Sequence, residues 1–234
     1  MESLGPFVLV VVVAGMALLV AAIIRQDRKR AAARAEAASL RGWTYSTGGG
    51  HRLIYSLEGR QDGLPWRVEC RSGGKNSSGR TVFTCREASL DGGAVLLGAA
   101  EMAALFRSPM GRKVTGWAVG LGNALGVETG PMEQVIERGA EVDLGMPHFT
   151  ERFFVLATDE AAARRVVTAR SAEALLAFAP PDFGGRQKAR ALTLTWGSEG
   201  MTVLLGRSLT SPEDMVSFAE LGVALAKETL RKTW

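Results

Sequence analysis

The chain has 234 residues, 47% of them hydrophobic and 22% charged, with 28 Lys or Arg against 24 Asp or Glu and a formal net charge of +4. That is a globular composition, and two Cys and two His leave little material for a disulfide scaffold, a histidine-built metal centre or a histidine-dependent active site. The excess charge is local: residues 25–41 hold six basic side chains against two acidic ones, whereas residues 42–234 hold 22 against 21, so the bulk of the chain is nearly neutral and nucleic acid is not an expected partner.

Phe7 to Ile24 is eighteen residues without a charge or a strongly polar side chain, enough at ~1.5 Å per residue for a helix close to the ~30 Å of a bilayer core. Only Glu2 precedes the run and Arg25-Gln26-Asp27-Arg28-Lys29-Arg30 follows it, the reverse of a cleaved signal peptide. The pattern predicts a transmembrane anchor over 1–24, a basic juxtamembrane helical stalk over 25–41 and a cytoplasmic domain over 42–234. The basic flank orients it with the N-terminus outside a bacterial inner membrane, single-pass. Ala14, Gly15, Ala17 and Ala21 form a small-residue stripe suited to membrane helix packing. Arg25, Arg28, Lys29, Arg30 and Arg34 are placed to meet anionic lipid headgroups.

Trp43 to Ser46 and His51 to Leu57 read as extended, and Trp66-Arg67-Val68-Glu69-Cys70-Arg71 alternates strictly, with Trp66, Val68 and Cys70 inward. The polar loop 72–79 leads to a returning strand, Thr81 to Cys85, with Phe83 and Cys85 inward. Both cysteines thus face one core, as free thiols in a reducing compartment; whether they touch depends on register. Residues 92–130 read as an apolar, glycine-rich insertion. Within it Ala94 to Phe106 suits a buried helix, a strand followed by a short helix, or a surface segment covering something greasy. Gly111 to Gly130, with Trp117, Val119, Leu121 and Leu125 between glycines, needs cover and is the expected partner-binding surface.

Further on, Arg152 to Leu156 reads as a strand, and Asp159 to Val167 as a helix opened by an Asp cap. Ser171 to Phe178 reads as a helix with a Ser cap that stops at Pro180-Pro181. Ala191 to Trp196 and Met201 to Leu205 flank Gly197-Ser198-Glu199-Gly200 as a second hairpin, and Ser211-Pro212-Glu213-Asp214 opens a helix running to about Arg231. The expected fold class is α+β: an N-terminal transmembrane helix with a helical stalk, then an antiparallel-sheet domain of two β-hairpins packed with helices.

No phosphate-binding loop, nucleophile elbow or metal-binding motif is found, no cofactor is expected, and no catalytic constellation emerges. The spacing Phe149, Phe153, Val155, Asp159, Ala163, Val166 and Val167 resembles a signature of uncharacterised, membrane-anchored, single-span bacterial proteins, over about residues 141–231. That resemblance implies no activity, cofactor or catalytic residue. The leading expectation is a non-catalytic accessory or assembly subunit that binds and stabilises an integral membrane protein or complex, respiratory and photosynthetic complexes being fitting hosts. The rivals are a membrane-surface enzyme using His148, Asp143 or Glu151, and a domain that senses anionic lipid.

Overall fold

The computed structural model describes residues 4–48, 52–74, 78–107, 130–179 and 192–231. The helix α1 (Leu4–Ser39) leads into β1 (Thr44–Thr47), β2 (Leu53–Gln61), β3 (Leu64–Arg71) and β4 (Arg80–Cys85). Then β5 (Val95–Ala99), a 3₁₀ turn (Ala100–Met102), α2 (Ala103–Arg107) and α3 (Gly130–Arg138) are followed by β6 (Ala140–Glu141), α4 (Pro147–Thr150) and β7 (Phe153–Ala157). The chain continues through α5 (Glu160–Val166), α6 (Ala169–Phe178), β8 (Leu192–Gly197), β9 (Gly200–Leu205) and α7 (Pro212–Arg231). One antiparallel sheet of nine strands contains them all, in the order β1-β2-β3-β4-β9-β8-β5-β7-β6. The two expected hairpins are therefore not separate units: β4 and β9 pair from Thr81 opposite Leu205 to Cys85 opposite Met201.

The membrane-anchored part of the expected architecture is corrected. Among the described residues no helix is long and apolar enough to cross a membrane. The fold class tied to a transmembrane helix, the single-pass description, the N-outside orientation and the inner-membrane location with a cytoplasmic domain all fall with it. Anchor and stalk are one uninterrupted 36-residue helix, because nothing between Arg25 and Ser39 is a Gly or Pro to break it. It ends in a hydrogen-bonded turn: Gly42 at φ +70° donates to the Ser39 carbonyl and Trp43 to that of Ala38, the left-handed helix stop for which glycine is suited.

Strand alternation decides which face is packed. Tyr55, Leu57, Trp66, Val68, Cys70, Phe83 and Cys85 point to one side and share one buried core with Val166, Leu175, Phe218 and Leu225 of α5, α6 and α7, of which α7 packs on β4 and α5 on β7. In α7, Gly222 lets the helix lie directly on Phe83. Its start is fixed as the sequence indicates, the Ser211 hydroxyl accepting from the Asp214 amide at 3.1 Å. At its far end the buried Trp196 indole donates to Thr229 Oγ1 at 3.1 Å. A smaller second core lies on the opposite side of β5 and β7, where Leu96, Phe154 and Leu156 meet Ala103, Phe106, Val135 and Ile136. Both faces of β5 and β7 are thus buried, which is why every residue of each strand is buried and neither shows the period-two alternation of β3.

Ala94 to Phe106 resolves as strand, 3₁₀ turn and short helix. The Asp159 cap on α5 is present, accepting from the amides of Ala161 and Ala162. The cap of α6 is Thr168, not Ser171: Thr168 accepts from the Ser171 amide, and the Ser171 hydroxyl is buried and donates to the Val166 carbonyl at 2.8 Å. Register also separates the cysteines. Cys70 lies opposite Thr81, four positions along β4 from Cys85, about 13 Å at ~3.3 Å per residue; both are free.

Candidate interaction surface

The structure concentrates exposed apolar side chains in one place. Eight large hydrophobic side chains are exposed among the described residues, and six of them, Met16, Leu18, Leu19, Val20, Ile23 and Ile24, belong to α1. They lie on all sides of the helix rather than along one stripe, since positions 18, 19 and 20 step ~100° apart. Such a patch on a folded chain marks a surface that something else covers. Gly15 and Ala21 are exposed within it, and a Cβ at Gly15 would meet nothing within 4 Å. The side chains of Ala14 and Ala17 lie outside the described residues. Arg25, Arg28, Lys29 and Arg30 form the next turns and are all exposed.

Arg34, expected among the headgroup-facing cations, is turned the other way. It is 6% exposed, with Nε donating to the Tyr45 hydroxyl at 3.2 Å and Nη1 to the Thr210 carbonyl at 3.1 Å. Its guanidinium carbon sits 5.4 Å from the centre of the Tyr55 ring, and Tyr55 stacks on Tyr45 at 5.8 Å. A cation over an aromatic face with two hydrogen bonds is a well-compensated buried charge. One turn later Ala38 is fully buried against the sheet, and the exposed Arg41 pairs with Glu220 of α7 at 3.0 Å. The base of α1 is thus seated in the domain, and its apolar half extends beyond. A lone Arg four positions past a basic run carries no sequence signal of burial; the aromatic partners arrive from β1 and β2, and Thr210 from 176 residues away.

Burial, then the neighbouring Cys70, raises the Tyr55 phenol well above its ordinary value, with the Arg34 charge opposing; Tyr55 stays neutral and its hydroxyl is buried without a hydrogen-bond partner among the described residues. Burial likewise pushes the Cys85 thiol up.

The expected partner-binding residues Trp117, Val119, Leu121 and Leu125 lie outside the described residues, as does His51. His148 and Glu151 are exposed at the four-residue α4 and its end, and Asp143 turns back to accept from the Gly145 amide at 2.9 Å. The nearest cleft, about 500 Å³ beside Val142 and Phe154, includes Asp143 but neither His148 nor Glu151, so the structure does not bring these three into one site. Among the described residues no three His, Cys, Asp or Glu side chains are grouped to hold a metal ion. No protein-family model, curated protein or solved structure matches the chain, so the resemblance over residues 141–231 rests on its own residues alone.

Proposed function

We propose that the protein is a non-catalytic binding subunit that inserts α1 into an apolar surface of a larger protein assembly. The observation that carries this reading is the grouping of six exposed large apolar side chains on Gly15 to Ile24, held out from the domain by the buried Arg34. Their exposure runs from 47% to 72%, so covering all six is worth on the order of 5–10 kcal/mol at ~1.5–3 kcal/mol per fully buried side chain. That is comparable with the ~4–15 kcal/mol cost of association, so the apolar contact needs support. Arg25, Arg28, Lys29 and Arg30 supply it where the partner's apolar surface ends in acidic side chains at their level. The complementary partner is therefore a helical assembly with an apolar groove and an acidic rim.

The test uses the full chain, tagged at the C-terminus and extracted in mild detergent. A zero-length carbodiimide cross-link from Lys29 to a carboxylate of a stoichiometric co-migrating protein, lost in the Leu18→Asp/Leu19→Asp/Ile23→Asp variant while the domain's melting temperature holds, supports the reading. A solitary chain, a companion that persists in the triple variant, or co-migration with lipid alone overturns it.

A further inference from the structure

A second surface lies at the end of α7 remote from Arg34. The helix starts just after Thr210, whose carbonyl holds Arg34, and its 20 residues carry it ~30 Å to Arg231. There it meets the first half of α6 and the turn between β2 and β3. That turn is Asp62-Gly63, with φ +51° and +85°, the pair of positive angles that a two-residue hairpin loop requires. The Asp62 carboxylate reaches Lys227 Nζ at 2.6 Å and ties the turn to α7. The three elements border an open groove of about 800 Å³, within the ~300–1,000 Å³ typical of small-molecule sites.

Its apolar lining is Leu64, Ala174, Ala224 and Leu230. The space exists because the helical positions along it are alanines: Ala174 is half-buried and Ala224 exposed, while their neighbours Leu175 and Leu225 are buried in the core. Charge around the groove is unequal. Lys227 and Asp62 cancel, and Glu228 is the one other carboxylate that lines it. A single Glu228 oxygen, Oε1, accepts from Nη1 of Arg170 at 3.3 Å and from Nη1 of Arg231 at 3.1 Å. One carboxylate balances one guanidinium, so three lining cations against two anions leave a single positive charge over. The two arginine side chains stay 66% and 62% exposed, and a guanidinium has five N–H donors, so donors remain beyond the one each gives to Glu228. An apolar floor beside two forked cations with one surplus charge complements a hydrocarbon chain that ends in a monoanionic carboxylate.

We propose that this groove binds a single-chain fatty acid, its carboxylate at Arg170 and Arg231 and its hydrocarbon chain over Leu64, Ala174, Ala224 and Leu230. The site is independent of the α1 surface. To test it, the full chain in mild detergent is irradiated with a diazirine-bearing dodecanoate, and the labelled peptides are mapped by mass spectrometry. Expected is saturable label on α6, the end of α7 and the β2–β3 turn. Octanoate, decanoate and dodecanoate should displace it, the concentration needed falling about two- to fourfold per added methylene. Decanol, with the same chain and no charge, should compete at least about tenfold less well than decanoate. The Arg170→Gln/Arg231→Gln variant should lose at least about tenfold of the decanoate affinity, and Ala224→Phe should lose the groove label, with any label on α1 unchanged in both. Melting temperatures show that each variant is folded; Arg231→Gln alone stands in if the double variant is not. Label confined to α1, equal competition by decanol, or unchanged affinity in a folded arginine variant overturns the proposal. So does label that enters the groove only when the chain is cut after Arg231, which would assign the groove to Lys232-Thr233-Trp234.

Discussion

Replacing Gly222 with alanine sets two effects of opposite sign against each other. In an exposed helix the change is stabilising by about 1 kcal/mol, because glycine is the poorer helix former. In α7 the added Cβ would lie 2.4 Å from Cγ and Cδ2 of Phe83 and 2.6 Å from Cε2, about 1 Å inside ordinary carbon contact. Phe83 cannot yield, since it is fully buried and stacks on Trp66 at 5.8 Å. The helix must lift from the sheet instead, and overpacking of this kind costs typically ~1–3 kcal/mol, occasionally more. The expected net effect is a loss of about 1–2 kcal/mol, which for a domain of this size lowers the melting temperature by about 2–8 °C; Gly222→Val should lose more. Urea unfolding followed by tryptophan fluorescence is the assay, because Trp66 is in the affected stack. Phe83→Leu in the alanine background should recover part of the loss, a coupling that a double-mutant cycle isolates. A more stable Gly222→Ala protein would show that α7 does not rest on β4 as described.

Four further outcomes follow from single side chains. Arg34→Met should cost about 1–3 kcal/mol, the range for stripping buried groups of their hydrogen-bond partner, and should speed amide hydrogen exchange over residues 30–38 while leaving β8 and β9 protected. Tyr55→Phe should be neutral or stabilise by about 1 kcal/mol, since it removes a buried hydroxyl without a partner and keeps the ring under Arg34; clear destabilisation in chemical denaturation would contradict that. Cys70 and Cys85, both at most 2% exposed, should resist a thiol reagent in the native protein and react together on unfolding; rapid native labelling of either would count against the register. Partial burial pushes the Glu228 carboxyl up, but hydrogen bonds from Arg231 and Arg170 outweigh it and hold the pKa below its ordinary value. A depressed folded pKa gives stability that is present above the unfolded value and lost as pH falls through the folded one. The stability difference between the wild type and Glu228→Gln should therefore shrink from about pH 5 to about pH 3 and be flat above; a difference that grows on acidification would reverse the assignment.

Local rules were legible where one face of an element meets water. The alternation in β3 and β4, the Asp159 cap and the Ser211-Pro212 start of α7 each depend on neighbours within a few residues, and each stands where the sequence places it. Ser171 misled because a hydroxyl near a helix start serves equally as a cap or, as here, as a donor to the preceding turn's carbonyl. The strand β5 was hard to classify because both of its faces are buried, which erases the period-two signal, whereas β7, buried on both faces as well, still reads as a strand from Arg152 to Leu156. The strand order was out of reach for another reason. β5 pairs with β8 through Val95 opposite Trp196, a contact across about a hundred residues that no local pattern encodes.

The N-terminal segment shows how composition and arrangement divide the information. An apolar run followed by a basic one states what kind of surface α1 offers, and it says so equally well for a lipid or a protein neighbour. What the fold adds is Arg34. Were α1 joined to the domain by a flexible segment, partner binding would be tethering, and the domain would be free to reorient. With Arg34 buried between Tyr45, Tyr55 and Thr210, and the helix unbroken to Ser39, the orientation of the apolar turns is fixed relative to the sheet. A partner that grips Leu18 to Ile24 therefore also sets where the β3–β4 face points. Inserting two glycines after Arg30 would keep every apolar contact and abolish that fixed relation, so loss of function in the inserted chain with partner affinity retained would separate positioning from mere attachment.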